Sequence, residues 1–108
     1  MTKSVAKRIG TQTRGVPAWL SGPVEVAAST AQYLCDRPDD QMCRRFVQRV
    51  LLEVERDARE REDAETCATA VQLRWVVEDD EASREDFHHM SVELQNLGRQ
   101  EIWLQLGW

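Results

Sequence analysis

Three cysteines and two histidines are the side chains in this sequence most able to hold a metal, and their spacing argues against it. Cys35, Cys43, Cys67, His88 and His89 contain neither a C-x-x-C nor an H-x-x-x-H pair, the spacings from which zinc sites are commonly built. Cys35 and Cys43 fall on the apolar faces of helical patterns, where a free cysteine acts as a small hydrophobe. A thiol nucleophile needs a base and an electropositive setting. Cys35 instead stands at a helix carboxyl end, Cys43 belongs to an inward stripe, and Cys67 has acidic neighbours. None of Ser4, Ser21, Ser29, Ser83 or Ser91 sits in a G-x-S-x-G elbow, and the five glycines never gather into a phosphate-cradling loop. The expectation is a protein that is not an enzyme, with no catalytic residue, no metal and no cofactor.

Charge offers two groupings. His89 lies four residues from both Glu85 and Glu93, a trio able to stabilise an imidazolium, though exposed pairs of this kind contribute little. The denser grouping is Glu78, Asp79, Asp80 and Glu81, followed by Glu85 and Asp86, with Arg84 the single base among them. Acids at the entry to a helix are favoured by its dipole. So many together also form a negative patch able to steer a basic protein surface into place. The chain has four tryptophans, Trp19, Trp75, Trp103 and Trp108, and Trp is the residue most enriched where binding energy concentrates. The expected partner-binding set is therefore Glu78, Asp79, Asp80, Glu81, Glu85 and Asp86, with Trp103 as the anchor.

The overall charge of −5 hides an asymmetry. Residues 1–16 carry Lys3, Lys7, Arg8 and Arg14 and no acid, whereas the rest sets ten arginines against all nineteen acids, a balance of −9. Residues 1–16 are read as a flexible basic arm and residues 17–108 as one acidic globular domain. A body this acidic repels phosphate backbones, so nucleic acid could be approached only through the arm. No stretch nears the roughly 20 apolar residues of a membrane span, and the N-terminus lacks the apolar core of a secretory signal. The chain reads as cytoplasmic. These features predict a small acidic interaction protein, of inhibitor, immunity or adaptor type, that covers a basic surface of a larger protein. The alternative is a transcriptional or nucleic-acid accessory factor using the arm. A second copy of the chain is admitted as a further partner.

The elements that must position these groups follow from apolar spacing. Between Pro38 and Gly98 there is neither Gly nor Pro, which favours long regular elements. A first helix is predicted from Gly22 to Cys35, capped by Ser21, with Val24, Ala27, Ala28, Ala31 and Leu34 on one face. Val26 and Tyr33 lie on its opposite side, so it is expected to be covered on two sides. A second helix opens at Asp36 and carries the stripe Cys43, Phe46, Val47, Val50, Leu51, Val54 and Ala58. Extended to Asp63 it would be about 40 Å long, with its last turns projecting. Val71, Leu73, Trp75 and Val77 alternate with mostly polar neighbours and read as a strand. A third helix starts at Ser83, paired with Asp86 in a capping box, and closes at Gly98. Ile102, Leu104 and Leu106 alternate as a second strand. The predicted fold is α+β, three helices with a small two- or three-stranded sheet, and the alternative is an all-α helical bundle.

Overall fold

The computed structural model describes residues 16–105, with the side chains of residues 99–105 outside that description. Four helices follow one another: α1 (Ala18–Leu34), α2 (Gln41–Glu60), α3 (Ala64–Val77) and α4 (Arg84–Gln105). Among the described residues there is no strand, so the protein is an all-α bundle and the α+β expectation is overturned. Their direction alternates. α1 packs along α4 on one side and α2 on the other, α3 lies on α2, and α3 and α4 meet only lightly.

Local chemistry explains the boundaries. At the head of α2 the Asp40 side chain accepts the Cys43 amide at 3.1 Å, and at the head of α3 Asp63 does the same for Thr66 at 3.1 Å. Each satisfies one of the free amides that every helix start exposes. The predicted capping box of α4 is present in both halves: the Ser83 amide donates to Asp86 at 2.8 Å and the Asp86 amide donates to Ser83 Oγ at 3.1 Å. α1 has no side-chain cap and begins one turn before the predicted start, after Pro17, so Ser21 caps nothing and Pro23 lies inside the helix. α2 begins at Gln41 rather than Asp36, because residues 35–40 turn back through backbone bonds to Gln32 and Tyr33.

α2 does not run on to Asp63 or project. It stops at Glu60 in a Schellman motif: the Asp63 amide bonds the Ala58 carbonyl at 2.8 Å and the Glu62 amide bonds the Arg59 carbonyl at 3.1 Å. That closure places Glu62 at φ 61°, a left-handed conformation glycine adopts more readily. The expected strand over 71–78 is helix for a similarly local reason. Thr66, Ala70, Leu73 and Val77, spaced by four, three and four, form the buried face of α3, and Trp75 points outward instead of sharing an inner face with Leu73. Gly98 does not close α4, which passes through it to Gln105. The predicted second strand from Ile102 is therefore helical as far as Gln105, and residues 106–108 lie outside the description.

The core joins Leu20, Val24, Ala27, Ala31 and Leu34 of α1 to Val47, Leu51 and Val54 of α2, Leu73 and Val77 of α3, and Phe87, Met90 and Leu94 of α4. Each such aliphatic or aromatic side chain contributes about 1.5–3 kcal/mol on leaving water. Val47, Val50, Leu51, Val54 and Ala58 are buried as the stripe predicted, while Phe46 at its edge stays partly open. The alanines of α1 let α4 come close enough for the buried Ser91 hydroxyl to donate to the Ala28 carbonyl at 2.9 Å. Val16, ahead of α1, is also buried in this core.

Candidate interaction surface

The alternating directions bring the loop over 35–40 and the loop over 78–83 to one end of the bundle. Arg44, on the first turn of α2, holds the two together. Its guanidinium is buried, donates to the Val77 carbonyl at 2.8 Å, the Asp79 carbonyl at 3.3 Å and the Pro38 carbonyl, and lies over the Phe87 ring at 5.1 Å. A cation against the last carbonyls of α3 meets the negative end of that helix dipole, so a full positive charge is tolerated inside the bundle. A second clasp is Arg84 of α4, which reaches Asp36 at 2.6 Å.

The acidic run falls on this end, and its members divide by what they touch. Glu78 accepts from Gln48 at 2.6 Å and Arg74 at 3.2 Å. The Asp79 carboxylate takes the Glu81 amide at 2.9 Å and shapes the loop, and Asp86 belongs to the capping box. The side chains of Asp80, Glu81 and Glu85 are exposed and make no hydrogen bond or ion pair among the described residues. Fold proximity adds carboxylates that the sequence kept apart: Asp36, Asp39 and Asp40 sit on the neighbouring loop. Nine acids thus share this end with five arginines, Arg37, Arg44, Arg45, Arg74 and Arg84, of which Arg74 is bound to Glu78. Arg44 is buried and Arg84 is bound to Asp36, which leaves the surface strongly negative.

The side chain of Trp103, the expected anchor, lies outside the described residues. Its backbone is 17 residues beyond Asp86 on the same helix, about 26 Å away at 1.5 Å per residue. An exposed aromatic near the acids is Trp75, three and four residues before Glu78 and Asp79 on the last turn of α3, with 62% of its surface open. Helical spacing back through Leu73, Ala70 and Thr66 is the signal that would have turned it outward.

Comparison of the chain with protein-family models, with curated proteins and with solved structures found no match.

His89 stands 3.9 Å from Glu93, and Glu85 does not join them. Among the described residues no three His, Cys, Asp or Glu side chains are grouped to hold a metal ion. Cys35 is buried, its thiol 3.5 Å from the Arg84 carbonyl. Burial and the adjacent Asp40 push the Cys43 thiol up from its ordinary range, which opposes thiolate formation. No described helix is long and apolar enough to cross a membrane. Residues 1–15 of the basic arm, on which the nucleic-acid alternative rests, lie outside the described residues, while Val16, placed in the arm from the sequence, is buried in the core.

Proposed function

We propose that this protein is a small interaction module, of inhibitor, immunity or adaptor type, whose acidic bundle end covers a basic surface of a larger protein. The observation that carries the reading is an exposed Trp75 on the last turn of α3, directly ahead of the loop that holds the unpartnered carboxylates of Asp80 and Glu81 and leads to Glu85. Long-range attraction from the acids would raise the encounter rate, and desolvation of the indole ring would hold the complex once formed. The division of labour among the acids supports the same reading. Glu78, Asp79 and Asp86 build the platform, so the remaining three are available for a partner without loss of structure.

The test is affinity capture at low salt from the cells that make the protein, using the wild type and the triple variant Asp80→Asn, Glu81→Gln, Glu85→Gln. The reading requires a basic protein retained by the wild type and lost by the triple variant, with unchanged melting of the variant. Equal retention by both, or no protein retained by the wild type, would overturn it.

A further inference from the structure

We infer that the protein forms a two-fold symmetric dimer through the outer face of α1. In a chain with 31% charged residues, α1 carries one charged side chain, Glu25, in 17 residues. Its outward stripe of Trp19, Gly22, Val26, Ser29 and Tyr33, spaced by three and four, has none. Trp19, Val26 and Tyr33 are 62%, 55% and 45% open, and Met42 and Phe46 on the adjoining turn of α2 are open as well. Val26 and Tyr33, with Cys43 of α2, line a shallow groove of about 250 Å³ between the two helices. The chain therefore covers the faces of α1 that meet α4 and α2 and leaves its outward stripe apolar and open.

Three features select a second copy as the occupant. The stripe reads alike in both directions about Val26. Turning a second α1 end for end sets Trp19 of one copy against Tyr33 of the other, Gly22 against Thr30, Pro23 against Ser29, and Val26 against itself. Aromatic residues then meet at the two ends, while small ones near the centre let the backbones approach. Gly22 fits this arrangement and is not required by the chain's own fold, since a Cβ there would meet nothing within 4 Å, although glycine inside a helix costs about 1 kcal/mol relative to alanine.

The second feature is area. An aromatic side chain carries about 150–250 Å², so the open parts of Trp19, Tyr33 and Phe46, with Val26 and Met42, present about 500 Å² per copy. With Gly22, Pro23, Ser29 and Thr30 added, this approaches the roughly 800 Å² per partner of a stable interface. Charge is the third. The stripe carries no carboxylate of its own, although Glu53, Asp57 and Glu60 of α2 border it at Trp19, and an end-for-end pair keeps the two acidic bundle ends at opposite extremes, where the repulsion between two chains of −5 is least.

Sedimentation equilibrium on the full chain tests the inference. The wild type is expected at twice its 12.5 kDa mass at tens of micromolar and to dissociate on dilution. Val26→Glu sets two carboxylates together at the axis and should weaken dimerisation at least tenfold, with an unchanged melting curve in dilute solution because Val26 is exposed. Trp19→Ser, at the rim, should weaken it without unfolding the chain, whereas Trp75→Ala should leave it intact. A wild type that stays monomeric at high concentration, or a dimer indifferent to both α1 substitutions, would overturn the proposal.

Discussion

Arg74 of α3 grips the Glu55 carboxylate of α2 with two arms, Nε to Oε1 at 3.1 Å and Nη2 to Oε2 at 3.3 Å. Glu55 is buried between the helices, and Arg59 approaches it at 3.4 Å. The hydrogen bonds that Arg74 donates to Glu55 raise the guanidinium above its ordinary value, against the opposing effect of burial. Removing one partner of a buried pair costs more than the pair's net worth, because the other is left uncompensated. Glu55→Gln should therefore lower the melting temperature by several degrees. Glu53→Gln, which breaks the open pair with Arg56 at 2.6 Å, should change it far less. Equal shifts in thermal melts of the two variants would show that α2 and α3 are held by apolar packing alone.

The left-handed backbone of Glu62 leads to a stabilising substitution. At φ 61° a side chain is crowded by its own carbonyl, an effect of about 1 kcal/mol that glycine avoids. Glu62→Gly should raise stability by about 0.5–1 kcal/mol, visible as a higher urea midpoint with an unchanged slope. A lower midpoint would mean that the Glu62 side chain contributes more than the strain it causes.

Gly98 is the opposite case, a glycine in ordinary helical conformation. A Cβ there would lie 3.7 Å from Glu25 Cγ and 3.9 Å from Val24 Cγ1, normal contact distances. Gly98→Ala should stabilise α4 by about 1 kcal/mol through helix propensity. Destabilisation in the same urea titration would show that α1 and α4 are packed more tightly than these distances imply.

Asp40 connects helix capping to pH. The Cys43 amide that donates to it holds its carboxyl below the usual carboxylate range, against a smaller opposing effect of burial. A group with a depressed folded value stabilises the protein above its unfolded value, about pH 4, and that contribution is lost as pH falls through the folded value. Asn caps about as well but does not titrate in this range. Asp40→Asn should thus melt close to the wild type at neutral pH and lose less stability between about pH 4 and pH 2. Parallel curves for the two proteins would remove Asp40 from the acid response.

What could be read in advance was what local chemistry decides. The Ser83 and Asp86 box, the Val47 to Ala58 stripe and the density of acids after Val77 each depend on neighbours within a turn or two. The strand at Val71 failed because eight residues cannot separate a period of two from one of 3.6, and only the tie back to Thr66 and Ala70 settles it. The break at Glu62 carried no glycine or proline to mark it. The joining of the 35–40 loop to the acidic run could not be seen in the chain, because it depends on Arg44 reaching Val77, 33 residues away, whereas the outward turn of Trp75 was legible in the helical spacing of Thr66, Ala70 and Leu73.

The claim that the acidic end guides a basic partner is tested most directly by stopped-flow association with the captured protein at about 50 and about 500 mM salt. The wild type should associate fast at low salt and markedly slower at high salt. The triple variant at Asp80, Glu81 and Glu85 should be slow at both, and Trp75→Ala should mainly speed dissociation. Wild-type and triple-variant rates that coincide at both salt concentrations would contradict the account.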